Sequence, residues 1–304
     1  MEFQNKRGTG YCGLACVLCS NEDCPGCAAE IAGGGNNCSA GKCAAGKGIA
    51  GCHACPDYAS CTEGMPHGKR NRAFNRYARE FGLDALIGRL RVNYENGITY
   101  HTPGKTSGDY DVPETDGEIY QLLRYGRNDP YIKCPEFDTE HFHLRQVRME
   151  DAEELLCFYG ELSEWMFFEN AKSNRIFSSR RATVEEMRKC IASWLGEYKN
   201  RYYIRFTVID KATKKAIGTI EVFDNPGNSY LHIDLSAPYE TQSYISELLS
   251  LADEKLFNIF NMRTLLVQAV PAAKERTTAL QSYGYKPYEC TAGGKHYYAK
   301  KNTI

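Results

Sequence analysis

The stretch YIRFTVIDKATKKAIGTIEVF, Tyr203–Phe223, decides the fold of the second half of this 304-residue chain. It contains two runs rich in β-branched and aromatic residues, joined by the polar segment Lys211–Lys215. Runs of this length and composition predict strands, and the short polar connection predicts a hairpin. A third strand is predicted at Tyr230–Leu235, where apolar and polar residues alternate strictly. The stretch therefore predicts the centre of an antiparallel sheet.

These three strands form a meander. On either side of it, the pattern of apolar residues predicts further strands and helices in a definite order. The sequence is strand, two helices, meander, helix, strand, helix, strand, as judged from apolar periodicity and capping residues. The predicted elements are a strand at His141–Val147, helices that begin at Asp151 and Thr183, a helix through Tyr244–Phe257, a strand at Arg263–Val270, a helix at Ala272–Tyr283 and a strand at Lys295–Lys300.

This order resembles the GNAT superfamily of N-acyltransferases, and three segments carry the resemblance. LRQVRMEDAEELL (Leu144–Leu156) is similar to its opening strand and helix, and AIGTIEVF (Ala216–Phe223) to its third strand. PAAKERTTALQSYGYKP (Pro271–Pro287) resembles the exit of its penultimate strand and the helix that follows. The resemblance spans residues 141–302. It implies an α/β (α+β) fold with a mixed sheet and flanking helices, acetyl-CoA as co-substrate and a small-molecule or peptide amine as acceptor.

The same resemblance implies a cofactor site at the start of the helix after the meander. There the superfamily binds the coenzyme A pyrophosphate on backbone N–H groups, as helix N-termini bind anions generally. The implied cofactor-binding residues are Leu235, Ser236, Ser243, Tyr244 and Ile245. The usual Gln/Arg-x-x-Gly-x-Gly/Ala signature is replaced by Glu240, Ser243 and Ile245. Ile245 is expected to narrow the approach. A Glu240 carboxylate about 5 Å from a phosphate would cost on the order of 3 kcal/mol at an effective dielectric of 20.

Two residues are predicted to be catalytic. Strand alternation places Asp234 on one face with His232 and Glu221, and Asp234 is the expected general base. The alternative interpretation is that these are solvent-facing polar positions of a half-buried sheet. Relatives often place a tyrosine four residues before a closing Gly-Phe, but here that position is Leu280. Tyr283, one helical step away, is the candidate acid.

The front of the chain carries a dense cysteine cluster. Ten cysteines lie within fifty residues: Cys12, Cys16, Cys19, Cys24, Cys27, Cys38, Cys43, Cys52, Cys55 and Cys61. Three pairs have the two-residue spacing that turns two thiolates toward one metal ion. Structural zinc contributes roughly 10–16 kcal/mol to the folding of small peptides. The cluster predicts about two zinc ions per chain, with His53 or His67 as substitute ligands.

Two other uses of these cysteines remain open. Cys12, Cys16 and Cys19 match the spacing of radical S-adenosylmethionine enzymes, but no barrel of strand–helix repeats follows to surround an iron–sulfur cluster. Disulfides are disfavoured in a reducing cytosol. The sequence does not assign individual cysteines to individual metal ions.

The segment also resembles an uncharacterised cysteine-rich family of bacterial and archaeal proteins. The resemblance is carried by CGLACVLC (Cys12–Cys19) and the later cysteine motifs, and it continues through NGITYHTPG (Asn96–Gly104) and GDYD (Gly108–Asp111). It implies zinc binding and no defined activity. We therefore predict a cysteine-rich metal-binding domain at residues 1–135 and an acyltransferase-like domain at residues 136–304.

Charge and hydropathy limit the possible partners and the compartment. The net charge is −1, so nothing in the total charge implies nucleic-acid binding. No signal peptide or apolar run long enough for a membrane span is visible, which predicts a cytoplasmic chain with no membrane partner. Three functions remain open. They are an N-acetyltransferase, a catalytically degenerate relative that binds a ligand or partner, and a metal-dependent sensor. Oligomeric state is left open.

Overall fold

The computed structural model describes residues 8–19, 24–33, 38–62, 68–102, 104–160, 183–223, 227–289 and 296–302. The chain divides into two compact units, Met1–Asp129 and Pro130–Ile304.

The described part of the first unit is helical. Its helices are α1 (Cys27–Ala32), α2 (Ser39–Gly46), α3 (Lys69–Phe81), α4 (Leu83–Glu95) and α5 (Asp116–Tyr125), with single 3-10 turns at Cys16–Leu18, Cys52–Ala54 and Asp109–Asp111. Gly82 is the C-cap of α3, and Gly126 is the C-cap of α5. Gly82 has φ +94°, a conformation that glycine adopts without a steric penalty. The same glycine begins α4, which the sequence analysis did not predict.

The core of the first unit is built from aromatic and aliphatic residues of α3, α4 and α5. The cysteine segment contributes Ala15, Val17 and Leu18 to this core, so it is anchored on the helices by apolar packing. Two buried asparagines of α3 add polar contacts, because Asn71 Nδ2 and Asn75 Nδ2 both donate to the Cys12 carbonyl, at 3.2 and 3.0 Å. The segment that contains the cysteines is thus fixed at its first cysteine.

The GDYD motif packs against the NGITYHTPG motif. The Asp109 carboxylate accepts hydrogen bonds from the Thr99 backbone N–H, at 2.6 Å, and from the Thr99 hydroxyl, at 2.9 Å. A side chain on Gly108 would collide with the Thr99 and Tyr100 backbone. Tyr110 is fully buried, and its hydroxyl accepts a hydrogen bond from Asn93. These motif residues therefore hold the fold of the first unit together.

The second unit is a mixed α/β structure, which confirms the predicted fold class. Its strands are β1 (Phe137–Asp138), β2 (Phe142–Gln146), β3 (Tyr203–Asp210), β4 (Ala216–Phe223), β5 (Ser229–Leu235), β6 (Thr264–Gln268), β7 (Lys286–Tyr288) and β8 (Tyr297–Lys301). They form one sheet in the order β1-β2-β3-β4-β5-β6-β8-β7. All neighbouring strands are antiparallel except β5 and β6, which are parallel.

Helices flank this sheet at the predicted places. They are α6 (Ala152–Gly160), α7 (Val184–Lys199), α8 (Gln242–Leu251), the short α9 (Phe257–Ile259) and α10 (Lys274–Ser282). Thr183 caps α7 by accepting the Glu186 N–H, as its spacing predicts. The helix predicted through Tyr244–Phe257 is interrupted by a π-helical turn at Ala252–Leu256. Strands β1 and β7 were not predicted, because runs of two and three residues carry no readable alternation.

Pairing between the parallel strands β5 and β6 covers only the first part of β5. Their register pairs Ser229 with Leu265, Tyr230 with Leu266 and Leu231 with Val267. Strand β6 ends at Gln268, whereas β5 continues to Leu235. Among the described residues, the second half of β5 therefore extends beyond its pairing with β6, and we call the space beside it the strand opening.

Candidate functional site

Four charged side chains meet on one face of the sheet beside the strand opening. Arg205 of β3 donates to Glu221 of β4, and its Nη1 lies 3.9 Å from Oδ2 of Asp234 on β5. His232 Nδ1 is 3.4 Å from Glu221 Oε1. We refer to Arg205, Glu221, His232 and Asp234 as the charge cluster. The prediction that Asp234, His232 and Glu221 share a face is therefore correct.

The interpretation of these residues as solvent-facing positions is wrong. Arg205, Glu221 and Asp234 are only 6, 4 and 7% exposed, because both faces of the central strands are covered. Burial of this much charge is costly unless each group is paired and hydrogen-bonded. The two terminal nitrogens of the Arg205 guanidinium meet that condition, whereas its buried Nε has no hydrogen-bond partner among the described residues. The guanidinium stacks 4.1 Å from the centre of the Trp194 ring and donates to the Tyr159 and Thr219 hydroxyls, at 3.0 and 3.1 Å.

The two carboxyl groups of the cluster have opposite pKa shifts. Burial raises the pKa of Asp234 above its ordinary value, and this effect outweighs the opposing charges of Arg205 and His232. Burial acts on Glu221 as well, but Arg205 and the His232 hydrogen bond hold the pKa of Glu221 below its ordinary value. Neighbouring acids whose pKa values are shifted in opposite directions are typical of sites that transfer protons. Glu221 stays ionised, and Asp234 is the group suited to take up a proton.

Several amides at the predicted cofactor site are already engaged by the chain itself. The N-cap of α8 is Thr241, whose hydroxyl accepts the Tyr244 N–H at 3.4 Å. Ser243 lies within the first turn of α8. The Gln242 N–H donates to the Glu275 carboxylate at 3.0 Å, and the Ile245 N–H donates to the Thr241 carbonyl at 3.0 Å.

The other predicted cofactor residues lie nearby but offer little free surface. Leu235 is fully buried and pairs with Gly218 of β4, and the Ser236 N–H donates to the Ile217 carbonyl at 2.8 Å. Ile245 is fully buried, so its side chain packs in the core and does not narrow the approach to the amides, contrary to expectation. The Tyr244 ring packs 5.3 Å from the Phe142 ring.

Arg276 of α10 fills the strand opening. Its Nη2 donates to the Ile233 carbonyl of β5 at 2.7 Å, and its Nη1 donates to the Gln268 carbonyl of β6 at 3.3 Å. The same guanidinium is paired with Glu240, whose side chain is 8% exposed. The expected repulsion between Glu240 and a phosphate is therefore wrong for this arrangement, since the Glu240 charge is compensated by Arg276.

These contacts decide whether acetyl-CoA fits the site as it stands. A helix N-terminus binds phosphate through unoccupied N–H groups, and a Glu275 carboxylate now accepts one of them. The opening between β5 and β6 holds a guanidinium that uses the carbonyls on both sides. The residues do not fit the cofactor in this arrangement.

The candidate acid Tyr283 is not brought to the charge cluster. It lies at the C-cap of α10, seven residues after Arg276, which is roughly 10 Å along a helix axis. The charged neighbours with the largest effect on Asp234 are Arg205, His232, Arg276 and Glu221. Leu280, at the position of the usual tyrosine, is fully buried.

The ten cysteines of the first unit are free thiols, and several of them interact electrostatically with one another. The Cys16 thiol donates to Cys27, which lowers the pKa of Cys27 to about 6 and raises that of Cys16. A second group surrounds Cys52. Burial raises the pKa of Cys52 to about 11, and neighbouring thiolates add to this shift; they belong to Cys12, Cys55, Cys61 and Cys43. The disulfide alternative finds no support among the described cysteines.

The thiols do not converge on a formed metal site. In the ranges that the structure describes, no group of three or more Cys, His, Asp or Glu residues is placed to hold a metal ion. The predicted metal ligands therefore do not surround a common point in the tetrahedral arrangement that a zinc ion requires. His53 is described, and burial lowers its pKa. His67, Cys290 and the segment Phe167–Arg181, considered for substrate specificity, lie outside the described residues.

The basic face of α3 is used within the first unit. Arg70 pairs with Asp111 at 2.9 Å and Arg72 with Asp116 at 3.5 Å. Arg76 stacks on the Tyr120 ring, and Arg79 donates to the Cys55 carbonyl at 2.9 Å. These arginines therefore contact their own unit, and a phosphate-binding role is not needed to explain them. None of the described helices has the length and apolar character needed to cross a bilayer.

Comparison with known proteins identifies a family whose domain corresponds to the second unit. The family model of the acetyltransferase (GNAT) domain matches residues 141–286, slightly less than half of the chain. The second unit accordingly has a GNAT-like acetyltransferase fold.

Solved structures to which the chain is similar include an acetyltransferase from Agrobacterium tumefaciens (16% identity, TM-score 0.43), which matches over 56% of this chain and 96% of its own. A GNAT-family acetyltransferase from Bacillus anthracis (16% identity, TM-score 0.42) matches over 55% of this chain and 98% of its own. The ribosomal-protein-S5-alanine acetyltransferase from Vibrio fischeri (16% identity, TM-score 0.41) matches over 56% and 97%. No curated protein gives a significant match.

Proposed function

We propose that the second unit is an acyl-CoA-dependent N-acetyltransferase that acts on an amine, with Asp234 as its general base. The observation that carries the proposal is a buried carboxyl group with a raised pKa beside the strand opening of an acetyltransferase-type sheet. A base with a raised pKa takes a proton more readily near neutral pH, which is what an ammonium acceptor requires.

The residues around Asp234 prepare it for this role. Arg205 lies 3.9 Å from the Asp234 carboxylate and partly offsets its charge. Glu221 holds both Arg205 and His232, so it fixes the position of the cation that faces Asp234. When an ammonium group lies beside Asp234, Oδ accepts one of its protons and leaves a neutral nitrogen able to attack the acyl carbon. The new C–N bond then replaces the thioester C–S bond, and coenzyme A leaves as a thiolate that takes up the second proton lost by the nitrogen. A general base of this kind contributes roughly 10²–10⁴-fold to the rate.

The proposal is tested by acetyl transfer to a panel of small amines and peptides by the full chain. Asp234→Asn is expected to lower the rate at least 10²-fold. Glu254→Gln, on the exposed side of the helical segment after α8, is the matched control and should leave the rate unchanged. Equal rates for Asp234→Asn and the unmodified chain would remove Asp234 from the mechanism.

A second candidate function is a ligand- or partner-binding protein without catalysis. It is favoured by the engaged amides of Gln242, Tyr244 and Ile245 and by the buried Leu280 at the usual position of the tyrosine. Such a protein would keep the sheet and lose acetyl transfer. This second function is distinguished from an acetyltransferase by binding of acetyl-CoA without acetyl transfer.

We further propose that the cysteine segment of the first unit binds zinc through its thiolates, at about two ions per chain. The donor chemistry supports this, because the segment holds ten free thiols that include three C-x-x-C pairs. Closure of the sites would require the thiols to move from hydrogen bonding with one another to a shared cation. Elemental analysis of the purified chain tests the proposal. Iron with brown colour, or no metal at all, would contradict it.

A further inference from the structure

Two neighbouring side chains of α10 occupy the two places that a coenzyme A molecule would need. The Glu275 carboxylate lies on the Gln242 N–H at the start of α8. The Arg276 guanidinium lies in the strand opening, between the Ile233 and Gln268 carbonyls. We propose that the first turn of α10 closes the acyl-CoA site from within, so that acyl-CoA binds only after Glu275 and Arg276 leave these positions. This inference rests on the proposed function.

The chemical match between occupant and ligand supports the proposal. A carboxylate at a helix N-terminus presents the same negative charge and acceptor oxygens as a phosphate group. The Ile233 and Gln268 carbonyls that now accept from Arg276 are acceptors of the kind that the amide N–H groups of a pantetheine chain need. The Gln242 N–H and the Ile233 and Gln268 carbonyls are thus already satisfied by this chain itself.

The Arg276–Glu240 pair gives the closed state its stability. Both side chains are largely removed from solvent, at 11 and 8% exposure, so solvent screens their attraction only weakly. The Glu275 contact is exposed and is therefore the weaker of the two. Because Glu275 and Arg276 are consecutive residues of one helical turn, a single movement of that turn releases both positions.

The test is calorimetric titration of acetyl-CoA into the full chain and three variants. Glu275→Ala removes the exposed carboxylate with little risk to the fold. The double variant Glu240→Gln/Arg276→Gln empties the strand opening without leaving a buried charge unpaired. Lys274→Ala changes an exposed neighbour in the same turn and serves as the control. Circular dichroism verifies that each variant is folded.

The expected result is affinity at least tenfold tighter for Glu275→Ala and for the double variant, and within twofold of the unmodified chain for Lys274→Ala. Unchanged affinity in both opened variants, or binding to none of the chains, would overturn the inference. Acetyl transfer measured in parallel separates the two proposals. Tighter binding without transfer supports the closed site and contradicts the catalytic proposal. Tight binding and transfer by the unmodified chain, with no gain in affinity in the variants, supports the catalytic proposal and contradicts the closed site.

Discussion

Asp234 and Glu221 occupy one buried cluster, yet the pKa of Asp234 is raised and the pKa of Glu221 is lowered. The difference follows from distance, because Glu221 bonds directly to Arg205 and Asp234 lies 3.9 Å from it. Glu221 therefore receives most of the compensation that one buried guanidinium can provide. The carboxyl group left undercompensated is the one next to the strand opening.

The raised pKa of Asp234 leads to a prediction about stability. A folded-state pKa above the unfolded value contributes stability at low pH, and this contribution is lost as the pH rises through the folded-state pKa. Where Asp234 is ionised, at pH values above its folded-state pKa, it therefore destabilises the fold. Asp234→Asn should raise the thermal unfolding midpoint in that pH range while it lowers the rate of acetyl transfer at least 10²-fold. A lower midpoint would mean that the ionised carboxylate stabilises the fold, contrary to the pKa direction.

At the scale of elements, Asp151 joins β2, β3 and the start of α6. Its carboxylate accepts from Arg145 at 2.6 Å, from the Thr207 hydroxyl at 2.6 Å and from the Arg148 N–H at 2.9 Å. Burial alone would raise the pKa of Asp151, but these hydrogen bonds hold it below its ordinary value. The ionised Asp151 carboxylate therefore links β2, β3 and the start of α6.

The Asp151 junction predicts sensitivity to acid. Because the pKa is lowered in the folded state, the stabilisation is complete above the unfolded value of about 3.9 and is lost as the pH falls through the folded-state pKa. Asp151→Asn should cost about 3 kcal/mol at pH 7, since it breaks a buried pair. Thermal unfolding at pH 7 and below pH 4 provides the measurement. A deficit that does not shrink in acid would contradict this account.

An element is predicted from the sequence when the interactions that form it are between residues close together in the chain. Strands β3 and β4 have the predicted bounds, because alternation and the polar Lys211–Lys215 segment are local signals. The short β1 and β7 depend on pairing with β2 and β8, which no local pattern reveals. The π-helical turn at Ala252–Leu256 likewise has no periodicity of its own.

The candidate site was predictable only in part for the same reason. Alternation brought Asp234, His232 and Glu221 together correctly. Arg205 was missed, although a charged residue between Ile204 and Phe206 in a buried strand is a visible signal of a polar face. The contact of Arg276 with Glu240 joins residues 36 apart in the chain, and only the tertiary structure brings them together.

At the scale of the whole molecule, the two units have different sources of stability. The second unit has a continuous sheet and an extended apolar core. The first unit has a helical core to which the described part of the cysteine segment contributes Ala15, Val17 and Leu18. The remainder of that segment, including α1 and α2, offers mainly alanine and glycine, so bound metal is the proposed source of its order.

Metal removal should therefore act on one unit only. Treatment with a strong chelator is expected to release about two zinc ions per chain and to increase hydrogen exchange in residues 8–62. Exchange in the sheet of the second unit should stay unchanged, and zinc re-addition should restore protection. Equal protection of residues 8–62 with and without the chelator would show that the thiols order the segment without metal.

The central claim is that acyl-CoA and the first turn of α10 compete for the strand opening between β5 and β6. A crystal structure of the full chain grown with acetyl-CoA measures this directly. The account predicts a cofactor on the Gln242 amide and in the opening, with Glu275 and Arg276 displaced from their present partners. A bound cofactor with Arg276 still on the Ile233 carbonyl would contradict it.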